Sequence, residues 1–359
     1  MKVGIVGMPN AGKSTLFNAL TKGGAQTGDY PFTTIEPNVA VAQVPDRRLE
    51  ELAGTLESSQ VTPETIDFHD IAGLVKGASE GEGLGNQFLA SIRETDAICH
   101  VVRVHPLESG VPHPEGSVDP LRDVETIETE LVLADYDQVE RRLERVAKQA
   151  KSGDAEAAAE RDWLEVVKEA LAEGRPVRSV PAPEGAPDAV RHLQALTSKP
   201  VLYVANVEEG EQEVPEALAR HAKENGAVAI ALSARIEGEL SELGPAEAAE
   251  MRESYGLEGE TGLERLVRAA WDLLGLITFY TAGEGTEAVA RSLPQGGTAW
   301  DAAGTVHTDI QEGFIKAEVI GWNELVEFGT YAAARDAGRL RIEGRDYVVS
   351  EGDVVTIRT

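Results

Sequence analysis

The sequence predicts an α/β fold with a parallel sheet, a helical insertion, and a small mixed α+β domain at its C-terminal end. Three observations predict it. Short apolar runs alternate with helical segments, the pattern of strands joined by crossover helices. A heptad-spaced apolar seam occupies the middle of the chain. Beyond about residue 275, short strand candidates lie between glycine-bearing turns. The 359 residues fit two to three domains at roughly 150 residues each, and 42% hydrophobic with 26% charged residues is ordinary for a folded chain.

Lys2 to Val6 reads as a strand ending at glycine, and Ser14 to Leu20 as the start of a helix. Asn38 to Val44 alternates apolar and polar residues, as a half-buried strand does. Thr65 to Asp70 is a further strand. Ala97 to Val104 is almost continuously apolar, as a central parallel strand should be, and Pro200 to Ala205 and Ala227 to Leu232 repeat that pattern. Between them, Val132, Tyr136, Val139, Leu143, Val146 and Ala150 are spaced 4, 3, 4, 3 and 4. Ser152-Gly153-Asp154 breaks this helix, and Leu164, Val167 and Leu171 carry a second. The pair reads as an antiparallel hairpin, a projecting coiled-coil arm rather than two helices lying flat on the sheet, because its apolar stripe is narrow. Arg175 to Pro187, rich in Pro, Ala and Gly, reads as a linker. The last domain shows strand candidates at Ile315 to Ile320, Arg339 to Ile342, Tyr347 to Val349 and Val354 to Ile357. The expected boundaries are residues 1–124 with 195–275, then 125–194, then 276–359.

Charge and cysteine content narrow the class. With 33 basic and 62 acidic residues, the net charge is -29. Phosphate backbones repel such a surface, so no DNA partner is expected and any RNA contact must be a local basic patch. The best such patch is Arg141, Arg142, Arg145, Lys148 and Lys151 on the first arm helix. No apolar run approaches the roughly 18 residues of a membrane span, and the N-terminal apolar stretch is too short for a signal peptide. A single cysteine, Cys99, excludes an internal disulfide and argues against a cysteine zinc site. A cytoplasmic, monomeric protein is expected.

Gly7-Met8-Pro9-Asn10-Ala11-Gly12-Lys13-Ser14 matches G-x-x-x-x-G-K-[ST] between a strand and a helix. Glycines let the backbone N–H groups of Asn10 to Thr15 wrap phosphates, Lys13 sets a cation on them, and Ser14 offers a hydroxyl to Mg²⁺. The following helix points its positive dipole end at the same anion. Asp70-Ile71-Ala72-Gly73 has the form D-x-x-G: the aspartate can hold the Mg²⁺ shell and the Gly73 N–H can reach a γ-phosphate. In the loop Tyr30-Pro31-Phe32-Thr33-Thr34-Ile35, the Thr34 hydroxyl can complete that shell. Base recognition departs from the guanine pattern N-K-x-D. Here the strand runs into Asn206-Val207-Glu208-Glu209, without the lysine and with glutamate for aspartate. A site no longer built for the guanine donors loses discrimination against adenine. Ser233-Ala234, after the next strand, fits the loop that closes over the base.

These motifs, with Glu36-Pro37-Asn38, Leu74-Val75-Lys76-Gly77-Ala78, Gly81 to Leu89 and Gly304-x-Val306-His307-Thr308-Asp309, resemble the YchF family, the Obg-like ATPases among the P-loop GTPases. The resemblance covers essentially the whole chain. It implies an OBG-type G domain (1–124 and 195–275), an antiparallel coiled-coil insertion (125–194) and a C-terminal TGS domain of β-grasp fold (276–359). It also implies a Mg²⁺-dependent ATPase with slow hydrolysis that binds the ribosome, mainly its large subunit, as a nucleotide-dependent switch. A conventional GTPase, or an interaction module with incidental hydrolysis, are the alternatives. In the tail, Thr278-Phe279-Tyr280-Thr281 stands where the family carries its aromatic pair in another order.

Leu74 occupies the position after D-x-x-G where many relatives carry a water-orienting glutamine, which leucine cannot replace. The resemblance points instead to a histidine in the loop after the Cys99 strand. His113 fits with one extra loop residue, His105 is its rival, and His100 within the strand reads as structural. Asn10 is the residue type that helps hold K⁺ in related proteins.

Overall fold

The computed structural model describes residues 1–26, 38–71, 84–105 and 116–359. The first part of the chain forms β1 (Lys2–Val6), α1 (Lys13–Gln26), β2 (Val39–Gln43), α2 (Arg47–Thr55), β3 (Gln60–Thr62), β4 (Thr65–Asp70), α3 (Leu84–Arg93) and β5 (Ala97–Arg103). Next come α4 (Pro120–Ala150), α5 (Ala155–Ala172), α6 (Ala189–Leu193), β6 (Val201–Asn206), α7 (Glu216–Glu224), β7 (Val228–Leu232), α8 (Ala234–Leu240), α9 (Pro245–Ser254) and α10 (Gly262–Leu273). The last part holds β8 (Leu276–Ala282), β9 (Glu287–Pro294), α11 (Ala299–Val306), α12 (Thr308–Glu312), β10 (Lys316–Gly321), α13 (Trp322–Phe328), α14 (Tyr331–Asp336), β11 (Arg341–Glu343) and β12 (Asp353–Arg358). Two compact units result: Met1–Ala42 with Asp67–Leu273, and Gln43–Ile66 with Leu274–Thr359.

The first unit is built on a six-stranded sheet of order β2-β4-β1-β5-β6-β7. β4, β1, β5, β6 and β7 pair in parallel. Every residue of β5 and β6 is buried, which is why both read as almost continuously apolar runs. One face carries Ile98, Val102, Tyr203 and Ala205 against Phe88, Leu89 and Ile92 of α3 and Val124, Ile127 and Leu131 of α4. Each buried Val, Leu, Ile or Phe side chain among these stabilises the fold by about 1.5–3 kcal/mol.

α4 starts at an Asp119 cap, whose carboxylate accepts from the Arg122 N–H at 3.2 Å, with Pro120 at the first helical position. Its N-terminal half packs on the sheet and its C-terminal half on α5. The seam residues Val132, Tyr136, Val139, Leu143, Val146 and Ala150 all join Leu164, Val167 and Leu171 in one cluster. α5 opens on Asp154, which accepts from the Ala157 N–H at 3.0 Å. The stretch expected to be a linker is instead part of this cluster: Val177, Val180 and Ala186 are buried in it. Its small apolar residues cover the end of a stripe that two helices alone leave open. Asp135, fully buried on α4, accepts from the Leu196 N–H (2.8 Å) and from the N–H and hydroxyl of Thr197 (2.7 Å each), which pins the returning chain to the helix. Residues 125–194 thus fall within the first compact unit.

The second unit carries a sheet of order β11-β10-β12-β8-β9-β3. β8 and β9 form an antiparallel pair, β12 joins β8 in parallel, and β10 runs antiparallel to β12. Tyr347 to Val349, expected as a strand, makes only an isolated bridge between Val348 and Thr298. Residues 43–66, expected within the N-terminal domain, belong here. β3 pairs with β9, and Leu49, Leu52, Ala53 and Leu56 share a core with Tyr280, Ala290, Ile320 and Val354. Asp46 caps α2 and accepts from the Tyr280 hydroxyl at 2.5 Å, while Arg48 bonds both Asp46 (2.8 Å) and Glu351.

Candidate nucleotide-binding site

The parallel strands end on one edge of the sheet, and the candidate residues cluster there. β1 delivers the loop from Gly7 to Gly12, β4 delivers Asp70, β6 delivers Asn206 and β7 delivers Ser233. Such an edge is where open α/β sheets bind ligands.

Two glycines are required by close approach. A side chain at Gly7 would come within 2.4 Å of the Val101 carbonyl, and one at Gly12 within 2.3 Å of the Asn206 amide, both at positive φ. Asn10 also lies in the left-handed region, at φ 64°, which asparagine tolerates. Lys13 is the first residue of α1 and is buried. Its ammonium donates to the carbonyls of Gly7 and Met8 at 2.9 Å each, so the cation is already folded over the loop. Burial lowers its pKa and the Asp70 carboxylate opposes that; conversely, burial raises Asp70 and Lys13 opposes it. The cation and the acid that the sequence placed in one site therefore sense one another. Ser14 and Thr15 are exposed beside them and Ala11 is buried.

Asn206 is a clamp. Its amide donates to the Ala11 carbonyl at 2.9 Å, and its oxygen accepts from the Ala234 N–H at 3.0 Å. One buried side chain thus ties the phosphate loop to the start of α8. Val207 is buried, and its N–H bonds the Leu232 carbonyl at 3.1 Å. Ser233 caps α8. Glu209 extends from the loop after β6, its carboxylate oxygen 2.9 Å from the Arg235 guanidinium. The Tyr255 hydroxyl lies 3.5 Å from its other oxygen. Arg235 and Tyr255 were not singled out by the sequence. The available signal was position, since Arg235 directly follows Ser233-Ala234.

Thr33, Thr34, Gly73, Leu74 and His113 lie outside the described residues. Of the other histidines, His105 sits half-buried just past β5. His100 is buried within β5, and burial lowers its pKa to about 4.

The strand, loop and helix, with a buried lysine facing an acid at the end of a neighbouring strand, define a P-loop nucleoside triphosphatase. Residues 2–148 match a family described as 50S ribosome-binding GTPase, and residues 276–359 match YchF-GTPase_C, a family described as of unknown function. The chain is 45% identical to the ribosome-binding ATPase YchF of Bacillus subtilis, covering 100% of this chain and 99% of that one. It is 46% identical to the protein of that name from Escherichia coli O157:H7, covering 99% and 98%. The solved structure of the Schizosaccharomyces pombe YchF GTPase aligns over 100% of this chain and 97% of its own, with a TM-score of 0.87 and 33% identity. The chain belongs to the YchF family.

Proposed function

We propose that this chain is a Mg²⁺-dependent ATPase that binds the ribosome and acts as a nucleotide-dependent switch. The observation that carries the reading is the intact phosphate loop joined, through Asn206, to a base loop that ends in Glu209 rather than the aspartate of a guanine site. Full-length relatives named ribosome-binding ATPases support both halves of it. Titrating the nucleotide-free protein with fluorescent ATP and GTP tests it: ATP binds more tightly, and equal or tighter GTP binding overturns the ATPase assignment.

A GTPase reading has one observation in its favour, the names of the N-terminal family and of the S. pombe structure. The same titration decides it. The large subunit as the contact is supported by that family description. A TGS identity for residues 276–359, a monomeric state and a cytoplasmic location complete the proposal.

The oxygen-only donors Ser14 and Asp70 fit Mg²⁺, a hard cation that keeps much of its water shell. Among the described residues no His, Cys or carboxylate cluster suited to another metal occurs. Ser14, Thr34 and Asp70 would hold the ion, which would offset phosphate charge. Asn10 is assigned to K⁺. Lys13 binds and neutralises the phosphates, Gly73 donates its N–H to the γ-phosphate, and His113 orients water. His113→Ala then lowers turnover about 10²- to 10⁴-fold with unchanged affinity, measured by phosphate release and titration. If His105→Ala shows that loss instead, the role passes to His105.

A further inference from the structure

Arg235 stands at the first turn of α8, one residue after the Ala234 N–H that Asn206 holds. Glu209 stands three residues after Asn206 itself. The clamp that joins the two loops therefore sets these side chains face to face. The Arg235 Nη1 lies 2.9 Å from the Glu209 Oε1, while its Nε donates to the Glu239 Oε1 at 3.1 Å one turn along the helix. Glu239 holds the guanidinium from behind, and Tyr255 approaches the second Glu209 oxygen at 3.5 Å.

This changes what the base loop offers. A lone carboxylate presents two acceptors side by side, the complement of guanine's N1–H and N2–H donors. A carboxylate paired with a guanidinium presents an acceptor beside a donor. That is the complement of adenine, whose N6–H group donates and whose N1 accepts. The guanidinium also offsets the negative charge that would attract guanine's donors and repel adenine's N1 lone pair.

We propose that Arg235 is a specificity-determining residue that, by pairing with Glu209, converts a guanine-type acceptor into an adenine-type donor–acceptor pair. The inference rests on the ATPase reading and deepens it. Arg235 is largely exposed, so its removal leaves the core intact.

The test is the ratio of GTP to ATP affinity in the full chain, measured with fluorescent nucleotides. Arg235→Ala frees Glu209, and the ratio shifts towards GTP by roughly tenfold, the scale of one charge-assisted hydrogen bond. Arg235→Lys restores the parental ratio. Arg235→Ala combined with Glu209→Ala abolishes the shift, because the freed carboxylate is gone. ITP, which lacks the 2-amino donor, gains less than GTP in Arg235→Ala. A variant that changes both affinities by one factor, or neither, overturns the inference and shows Arg235 to be only a surface residue of α8. The parental protein's own preference is read separately, so a failed ATPase reading and a failed role for Arg235 give different results.

Discussion

Asn206 joins two loops with one buried amide, while the Lys13 ammonium donates to two carbonyls of its own loop. Lys13→Ala removes a fixed cation from a partly desolvated site. It should abolish hydrolysis and weaken ATP binding roughly 10- to 100-fold, read by titration and phosphate release. Near-normal turnover would place the active site elsewhere. His100 makes a different prediction. Its Nε2 has no hydrogen-bond partner among the described residues, and it borders a cavity of about 30 Å³, room for one or two waters, alongside Glu128, Arg178 and Tyr203. Burial holds its folded pKa near 4, below the unfolded value of about 6.5. The unfolded chain therefore binds the extra proton first, so this histidine subtracts stability as pH falls from about 6.5 to about 4. In His100→Gln that component is absent. The stability difference between the two proteins should shift in the variant's favour across that window, measured by denaturant unfolding at each pH. At this scale the phosphate loop was legible because its spacing is a chemical requirement. The Arg235–Glu209 pair was not, because an ion pair between loops 26 residues apart leaves no local pattern.

The elements followed their periodicities where one face is buried. The seam from Val132 to Ala150 forms the inner face of the hairpin, and β5 and β6 are the almost continuously apolar strands. β3 escaped because Gln60-Val61-Thr62 is three residues long and largely exposed. The packed stretch from Val177 to Ala186 read as a linker because proline and glycine signal loops whether or not the loop is buried. The structure also refines the basic patch on α4. Arg142 is held by Glu160 through two bonds of 2.7 and 2.9 Å and serves the hairpin rather than a partner. Arg141, Arg145, Lys148 and Lys151 are exposed. Reversing those four to glutamate should weaken ribosome cosedimentation, most at low salt, and leave ATP turnover unchanged. Unaltered cosedimentation would move the contact off the hairpin. Arg142→Ala should instead destabilise the fold by about 1–3 kcal/mol, since it leaves the buried Glu160 carboxylate unpaired.

At the scale of the whole molecule, the sequence reads as three parts whereas the chain folds as two compact units, and the membership of residues 43–66 left no mark in the sequence. The partners of Leu49, Leu52, Ala53 and Leu56 begin at Tyr280, and no local pattern reports a core shared across such a distance. A chain ending at Gly275 should therefore carry a bare apolar face on α2. We expect it to bind a hydrophobic dye and self-associate on gel filtration, whereas the full chain stays dispersed. A truncated chain that remains dispersed and dye-free would show that α2 needs no C-terminal partner. The same division sets an order of events during synthesis. The segment ending at Ile66 leaves the ribosome 208 residues before Leu274, the first residue of the rest of its unit. At roughly 5–20 residues per second, α2 and β3 wait about 10–40 seconds for the sheet that receives them. During that interval the amphipathic helix is a nascent-chain client in need of shelter, so slow translation of the central region prolongs its exposure and rapid translation shortens it.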